Sequence, residues 1–319
     1  MFSYDNAQPQ DRSQADACLR NKNLAPRFAV INGDDFGFSA GVNAAIIEAY
    51  KNGILTSTSL MVTAAAFDQA VQLARENPGL AVGLHLVVVC GKPALPPARV
   101  PHLVDDHGRF PHGPVLTGLR YQFSRAARRE LREEIRAQLE KFAQTGLPLS
   151  HVDGHLHMHM HPVVFDILVE MSRYFPIRHI RAPKEETSIS LRIDGSNRIA
   201  KMVTGWIFGK LHHSGAAKLK RAGIDFSDRV YGLMASGGMT ESYVLKLIPQ
   251  MTGRRVEIYL HPAKECPGES LNGPKGSGPA ELETLLSPKV RAALVASGFQ
   301  LATFDHARAG SQREVAGSS

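Results

Sequence analysis

Residues 28–63 read FAVINGDDFGFSAGVNAAIIEAYKNGILTSTSLMVT, and their pattern sets the expectation for the rest of the chain. The apolar run at residues 28–32 is typical of a buried strand. Ser39 is a typical N-cap for a helix over residues 40–52. Residues 56–63 are rich in β-branched side chains and predict a second strand. A strand, a helix and a strand in this order favour parallel pairing with the helix packed outside.

This alternation continues to the end of the chain. Charged and polar residues gather where several of the predicted strands end, and these carboxyl ends carry the active site in β/α barrels. We therefore predict an α/β fold, a deformed TIM-like β/α barrel with seven parallel strands and outer helices. The further predicted strands are residues 81–89, 150–155, 178–182, 256–260 and 299–304, and the further predicted helices are residues 64–77, 124–146, 163–175 and 287–298.

The chain divides into one folded unit and two tails. Residues 1–26 and 307–319 are polar and predict flexible N- and C-terminal tails around a single domain at residues 27–306. Within this domain, residues 185–255 interrupt the alternation and predict an inserted helical or lid region. With 43% apolar and 21% charged residues, the composition is typical of a soluble globular protein. No apolar run reaches the roughly 18 residues of a transmembrane helix.

The net charge and the cysteine content argue against several classes of protein. Lys and Arg exceed Asp and Glu by 37 − 30 = 7, a modest and scattered excess that does not indicate a nucleic-acid partner. The three cysteines form no CxxC pair, which argues against a disulfide scaffold and a thiolate zinc site. The N-terminal residues lack the apolar core of a secretion signal, so we expect a cytoplasmic protein. The sequence leaves the oligomeric state open, with a dimer among the options.

Residues 197–221 read NRIAKMVTGWIFGKLHHSGAAKLKR and mix apolar side chains with lysines and arginines. One interpretation is an ordinary helix packed on the barrel. The other is a basic amphipathic surface or lid that touches lipid, which would place the protein peripherally at the inner membrane. Both interpretations predict a helix.

Two adjacent carboxylates, Asp34 and Asp35, follow the first strand in INGDDFG. Carboxylates at the end of a buried strand are costly unless something binds them. Adjacent side chains of an extended segment point to opposite sides, so one carboxylate can bind a metal ion while the other accepts a proton. The alternative is a pair that only caps the helix at residues 40–52.

Histidines are concentrated near further strand ends. His85 lies in an apolar strand, AVGLHLVVV, where a satisfied core histidine is the alternative to a metal ligand. Residues 150–162 read SHVDGHLHMHMHP, and strand geometry would place their alternating histidines on one face. Such a row suits metal binding, because imidazole binds Zn and related divalent ions. A surface stretch without function is the alternative.

His261 leaves the strand VEIYL and precedes Pro262. An imidazole at this point suits a general acid or base because its pKa lies near working pH; a loop histidine is the alternative. Asp35, His85 and His155 come from three separate strand ends. Three ligands with open positions are typical of a catalytic metal site, so we predict one divalent ion, with Zn, Mg, Ni, Co and Mn all admissible.

Four motifs in the order INGDDFGFSAGVNAAIIEAYKNGILTSTSLMV, VGLHLVVVCGKP, SHVDGHLHMH and EIYLHP are similar to those of the YdjC-like carbohydrate deacetylases. Members of that family are metal-dependent enzymes that remove N-acetyl groups from acetylated amino sugars such as chitooligosaccharides. The resemblance runs from about residue 28 to 305 and is weakest at residues 185–255. It implies a deformed β/α barrel and an acetylated sugar as substrate.

The resemblance also implies roles for single residues. Asp35, His85 and His155 would bind the metal ion. Asp34 would be the general base and His261 the general acid in the hydrolysis of an acetamide. Residues that would support the metal site or contact substrate are Asp153, His157, His159 and Arg181, with His161 left without a role.

The order DDFGFS, HLVVVCGKPALPP, YGLMASGGMTE and EIYLHPA further resembles the hopanoid-biosynthesis-associated (HpnK-type) deacetylases of bacteria. That resemblance implies an N-acetylglucosaminyl hopanoid lipid as substrate in hopanoid biosynthesis. The alternatives are a chitooligosaccharide deacetylase, a barrel amidohydrolase acting on cyclic amides, and a non-catalytic metal-binding protein of the same fold. The amidohydrolase reading would need an HxH pair in the first strand and a carbamylated lysine, and neither is apparent in the sequence.

Overall fold

The computed structural model describes residues 26–269 and 277–317, so the tail predicted at residues 1–26 lies outside it except for Pro26. The described residues form one sheet in which every strand pair is parallel. The strands are β1 (Arg27–Phe36), β2 (Ser57–Leu60), β3 (Ala81–Leu86), β4 (Val152–Gly154), β5 (Arg229–Tyr231), β6 (Arg255–Leu260) and β7 (Phe299–Leu301).

The sheet runs in the order β4-β3-β2-β1-β6-β5, and β7 pairs with the beginning of β1. Residues 178–184 lie between its two outer strands. On one side Val152 N donates to His179 O at 2.9 Å, and on the other Ile180 N donates to Asp225 O at 3.1 Å. This irregular segment, predicted as a strand, closes the sheet. The architecture confirms the predicted deformed β/α barrel.

Helices surround the sheet, as the alternating pattern predicts. Ser39 and Ser287 cap their helices by accepting hydrogen bonds from Val42 N and Val290 N, respectively. The helices are α1 (Ala40–Asn52), α2 (Phe67–Glu76), α3 (Pro114–Phe123), α4 (Arg125–Gln144), α5 (Pro162–Met171), α6 (Thr187–Ile193), α7 (Arg198–Ala222), α8 (Glu241–Leu247), α9 (Ser277–Leu286), α10 (Pro288–Ala296) and α11 (Phe304–Gly317). None of the helices described is long and apolar enough to cross a membrane.

Burial explains where these elements lie. β1 is buried along nearly its whole length, as expected for a strand covered on both faces. α4 buries Leu131, Ile135, Leu139 and Phe142, the residues that recur at helical spacing along it. The apolar core therefore lies between the sheet and its helices, while buried polar groups gather at the carboxyl ends of the strands.

The histidine-rich segment differs from the prediction. We predicted a strand at residues 150–155 with alternating histidines on one face, but β4 ends at Gly154 and residues 155–160 form a tight 3₁₀ turn. Leu156 and His157 adopt φ of 50° and 54°, a left-handed conformation that few non-glycine residues adopt. Because the backbone turns at each step, successive imidazoles point in different directions rather than along one face.

Two further segments differ from their expected form. Residues 185–255 are largely helical, yet they also supply β5 to the sheet, so the region is more than an insertion. α11 continues through the residues where we predicted that a tail begins, and Ala307 is buried. The boundaries of the predicted domain and its tails otherwise remain a prediction.

Candidate active site

The predicted site residues come together at the carboxyl ends of the strands, the end that carries the active site in β/α barrels. Asp34 and Asp35 lie at the end of β1, where its register with β2 is irregular. His85 lies near the end of β3. The remaining members are Asp153 in β4, His155 directly after it, Arg181 in the closing segment and His261 directly after β6.

Asp35, His85 and His155 form a compact group of donors. Asp35 Oδ1 lies 3.1 Å from His85 Nε2 and 3.2 Å from His155 Nδ1. One ligand atom from each residue lies within 4.8 Å of the others. Asp35 has φ of 67°, so the backbone is held in an uncommon conformation at the residue that joins the two imidazoles.

Asp153 fixes the orientation of the His85 ring. His85 Nδ1 and Asp153 Oδ1 are 2.8 Å apart, so the ring donates its Nδ1 proton and keeps a lone pair on Nε2. Ser59 Oγ donates to the other carboxylate oxygen of Asp153 at 2.8 Å. A carboxylate behind a histidine is a common support of metal-binding imidazoles.

The donor set fits a divalent metal ion. With Nδ1 of His85 donating to Asp153, the lone pairs of His85 Nε2 and Asp35 Oδ1 face each other, which requires a proton or a cation. Without a cation, burial lowers the pKa of His85 but Asp153 and Asp35 raise it to about 10. Burial opposes ionisation of Asp35, yet His155 and His85 hold its pKa well below its usual range. Two imidazoles and one carboxylate are ligands that Zn²⁺ and related ions accept.

A second group, Asp34 with His85 and Asp153, also brings one ligand atom of each residue within 4.8 Å of the others. In this second group, however, both carboxylates, Asp34 and Asp153, are already paired with Arg181. We therefore favour the group around Asp35 as the metal site.

Arg181 is fully buried and joins three carboxylates. Its two terminal nitrogens donate to the two oxygens of Asp34, both at 2.7 Å. Nη2 also lies 2.8 Å from Asp153 Oδ2, and Nε donates to Glu257 Oε1 at 2.6 Å. Its guanidinium lies over the Tyr259 ring, 4.5 Å from the centroid. Burial disfavours the charge, but the carboxylates outweigh it and raise the pKa of Arg181 well above its usual range. Arg181 is thus a permanent cation that orients Asp34.

Asp34 and His261 face each other across the site. Asp34 Oδ2 lies 3.9 Å from His261 Nε2, and Asp34 Oδ1 accepts from Asn32 Nδ2 at 2.8 Å. Burial lowers the pKa of His261, but Glu281, Asp34 and Asp35 raise it to about 9. His261 is therefore protonated at neutral pH and is suited to donate a proton.

Glu281 is a further member that the sequence interpretation missed. This fully buried carboxylate of α9 accepts from His261 N at 2.5 Å and lies 3.8 Å from His261 Nδ1. Its other oxygen accepts from Met239 N at 3.3 Å. No local signal singles it out, because Glu283 follows in the same helix and Glu281 lies 20 positions after His261 in the sequence.

The later histidines of the 155–161 run do not join the metal donors. His157 Nε2 lies 2.8 Å from Tyr259 Oη, and His159 Nε2 lies 3.0 Å from Arg181 O. Burial is the main cause that lowers the pKa of both, to about 4 for His159, so both are neutral. His161 packs against the Tyr121 ring, with centroids 6.2 Å apart. His159 is fully buried, which favours a supporting role over contact with substrate.

An open cleft of about 590 Å³ lies against the loops that follow β1, β2 and β3, at the same end of the sheet as the candidate site, and none of the site residues named above lines it. Its walls are mostly apolar, and three charged side chains stand among them. The lining includes Phe38, Met61, Val87, Lys92, Arg109 and Glu269.

Known proteins that are similar to this chain include YdjC-like proteins and carbohydrate deacetylases. The family profile of YdjC-like proteins matches residues 29–296. The chain is 32% identical over 290 residues to a carbohydrate deacetylase of Geobacillus stearothermophilus, covering 88% of this chain and 97% of that protein. A carbohydrate deacetylase of Brevibacillus brevis is 41% identical over 152 residues, which cover 47% of this chain and 58% of that protein.

A solved structure from Enterococcus faecalis V583, to which cellobiose-phosphate cleavage has been ascribed, superposes with a TM-score of 0.68. It is 25% identical in sequence, and the match covers 88% of this chain and 98% of that one. The fold and the order of its elements are thus shared along most of both chains.

Proposed function

The chain belongs to the YdjC-like protein family, and from this premise we propose that it is a metal-dependent carbohydrate deacetylase. The proposed reaction is hydrolysis of the N-acetyl group of an acetylated amino sugar. One observation carries the proposal: the donor group of Asp35, His85 and His155 lies beside an Asp34–His261 pair whose members face each other across 3.9 Å.

Asp35, His85 and His155 would hold the divalent ion. When bound there, such an ion supplies Lewis acidity, which polarises a carbonyl and acidifies water. Asp153 keeps the His85 lone pair directed at the ion's position by accepting the Nδ1 proton. The donor set admits Zn, Mg, Ni, Co and Mn, and metal analysis of the purified protein identifies which ion it carries.

Asp34 acts as the general base in this proposal. Arg181 donates to both of its oxygens, so the carboxylate keeps one orientation. Asp34 then accepts a proton from the attacking water. Because Arg181 is bound to Asp153 as well, the base and the support of His85 are positioned by the same side chain.

His261 acts as the general acid. The C–N bond of the acetamide breaks only if the departing amine nitrogen receives a proton. Without a metal ion the pKa of His261 is about 9, which favours its protonated form at neutral pH, and its Nε2 faces the same space as Asp34. Glu281 acts as a positioning residue, since it binds the backbone of His261 and supports its charge.

Within the deacetylases, we propose an N-acetylglucosaminyl hopanoid lipid as the substrate, consumed in hopanoid biosynthesis. The motifs shared with the HpnK-type enzymes support this choice. Peripheral contact of residues 197–221 with the inner face of the cytoplasmic membrane would suit a substrate that resides in lipid. A chitooligosaccharide is the alternative substrate, favoured by the relatives named carbohydrate deacetylases.

Acetate release from two substrates tests these proposals. Metal-loaded protein is incubated with diacetylchitobiose and with an N-acetylglucosaminyl hopanoid, each with and without chelator. Chelator-sensitive release from the lipid alone is the expected result. Release from the sugar alone would keep the deacetylase and reject the lipid. Release from neither, with metal bound, would favour a non-catalytic metal-binding protein of the same fold.

A further inference from the structure

Exposed apolar side chains are concentrated at one place on this barrel. Of twelve exposed large apolar side chains among the described residues, ten lie on α3, on α7 and at one position between them. The other two, Tyr174 and Val295, lie elsewhere. We call the ten the apolar rim: Val115, Leu116, Leu119, Phe123, Leu156, Ile199, Met202, Val203, Trp206 and Ile207.

α7 has two halves with different surroundings. Its C-terminal half is packed, because His212 Nδ1 lies 3.0 Å from Ala182 O and Gly215 lies against Phe165. Its N-terminal half has apolar residues at positions 199, 202, 203 and 206, a spacing that normally faces a core. Here this face is open, and Trp206 keeps 67% of its surface exposed. The packed-helix interpretation of the sequence thus describes only one half.

The rim surrounds the turn at residues 155–160, which begins with His155, one of the three proposed metal ligands. His157 of this turn contacts Phe208 of α7 with ring centroids 5.6 Å apart, and His161 contacts Tyr121 of α3 at 6.2 Å. Between them Leu156 is 52% exposed in its left-handed conformation, one residue from His155. A surface that docks on the rim therefore comes to lie next to the mouth of the site.

The charge around the rim has one sign. Residues 198–222 contain six lysines and arginines and no acidic residue, and residues 114–129 contain four arginines and no acidic residue. The acidic neighbours Asp194 and Asp166 are already paired with Lys201 and Lys218. Exposed cations that remain beside the apolar side chains are Arg120, Arg125, Arg198 and Lys210.

We propose that the apolar rim docks the mouth of the barrel on the surface of an anionic lipid bilayer. Apolar side chains flanked by cations bind such surfaces by burial at the headgroup boundary and by attraction to anionic lipids. A second copy of the chain is disfavoured as the occupant, because pairing two rims would bring like charges together. The inference rests on the proposed function for its purpose, which is to take a lipid-linked sugar directly from the bilayer.

Vesicle sedimentation of the full-length protein tests the proposal. The probes are vesicles of phosphatidylcholine alone and of phosphatidylcholine mixed with phosphatidylglycerol. Wild-type protein is expected to bind the anionic vesicles, and binding should fall as salt rises. Two double variants remove either side of the rim: Met202→Ser with Trp206→Ser, and Leu116→Ser with Phe123→Ser. Each should lower vesicle binding at least about tenfold.

A matched control replaces the two exposed apolar residues outside the rim, Tyr174→Ser with Val295→Ser, and should bind within about twofold of wild type. Equal loss in this control, or no preference of wild type for anionic vesicles, would overturn the proposal. So would a dimer by light scattering that the Met202→Ser, Trp206→Ser variant converts to monomer, because the rim would then bind a second copy.

Acetate release from the N-acetylglucosaminyl hopanoid dispersed in detergent, without a bilayer, separates this proposal from the proposed function. The rim variants should release acetate from this dispersed substrate at the wild-type rate, and their thermal unfolding should match wild type. Vesicle binding without acetate release from any substrate would overturn the proposed function and leave the docking surface supported. Acetate release without vesicle binding would overturn the docking surface alone.

Discussion

The histidines at the mouth of this barrel, where the strands have their carboxyl ends, have different surroundings from the histidines in its lower half, at the opposite end of the strands. His85, His155 and His261 each face a carboxylate, and the pKa rises to about 10 for His85 and about 9 for His261. These side chains are held in charged surroundings that suit metal binding and proton transfer.

The lower histidines, His151 and His179, are as deeply buried but pack on the Phe304 ring, with centroids 4.4 and 4.2 Å away. Burial is the main cause that lowers the pKa of His179. Nε2 of His179 has no hydrogen-bond partner among the described residues, and Nε2 of His151 lies 3.8 Å from Asp153 Oδ2. The comparison teaches that a position beside Asp34 or Asp35 at the carboxyl ends of the strands, rather than burial or a nearby carboxylate alone, marks the candidate functional group.

The largest effect is expected from a metal ligand. His155→Gln should remove one of three donors and lower acetate release roughly a thousandfold, because the Lewis acid supplies several kcal/mol of stabilisation. Its bound metal, measured by elemental analysis, should fall as well. The matched control is His161→Gln in the same run, which should keep its metal and lose less than about threefold. Equal losses in both variants would contradict the distinction between the two groups.

Removal of the acid or the base should leave the metal in place. Asp34→Asn and His261→Gln should each lower the turnover number at least about 100-fold, the usual range for a general acid or base. Metal content should remain near that of wild type, since neither residue belongs to the favoured donor set. Turnover close to wild type in both variants would reject the assigned roles.

The support of His85 should matter less than the ligand itself. Asp153→Asn removes the carboxylate that fixes the His85 ring and should weaken metal binding about 10- to 100-fold. Titration calorimetry with the metal-stripped protein measures this change. Ser59→Ala removes only a donor to Asp153 and serves as the milder comparison. Affinity unchanged in Asp153→Asn would show that the ring needs no support.

Glu281 should set the basic limb of the pH–rate profile. A general acid must be protonated, so turnover should fall as pH rises through the pKa of His261. This pKa is about 9 without a metal ion, and a bound divalent ion adds positive charge nearby and moves the limb to lower pH. Glu281→Gln removes a carboxylate that raises this pKa, so the limb should move further down in pH. If the basic limb of the pH–rate profile lies at the same pH in Glu281→Gln as in wild type, Glu281 does not position His261 or support its charge.

The smallest effect is expected in the lower group. His179→Leu should leave turnover within about twofold and the free energy of unfolding within about 1 kcal/mol at pH 7. Because the folded-state pKa of His179 is lowered, its contribution to stability is present above the unfolded value of 6.5 and is lost as pH falls below it. The variant should therefore lose less stability than wild type between pH 7 and 5, measured by denaturant unfolding.

The fold could be predicted from the sequence because its strands and helices follow local patterns. Ser39 and Ser287 cap helices where the pattern placed them, whereas residues 178–182 form isolated bridges to Val152 and Asp225 instead of the predicted strand. α3 was not predicted, because Pro114 ends a loop rich in prolines and its apolar residues face outwards. The spacing of apolar residues along the sequence is the same for an exposed helix face as for a buried one, so the sequence alone does not tell which face is exposed.

The convergence of the candidate site residues could be predicted from the sequence, their detailed geometry less well, and their roles remain predictions. Asp35, His85 and His155 do converge, since three strands bring them to one end of the barrel. The conformation of the 155–160 turn could not be predicted, because it depends on the contacts of each imidazole after β4 ends. Glu281 was missed for a similar reason, since only the folded barrel brings α9 to His261.

Titration of metal-stripped protein with a divalent ion, with acetate release followed at each addition, tests the central claim most directly. We predict that activity rises with added metal, saturates at one equivalent in wild type and stays near zero in His155→Gln. Acetate release that is the same with and without metal, or that His155→Gln leaves intact, would contradict a catalytic centre built on Asp35, His85 and His155.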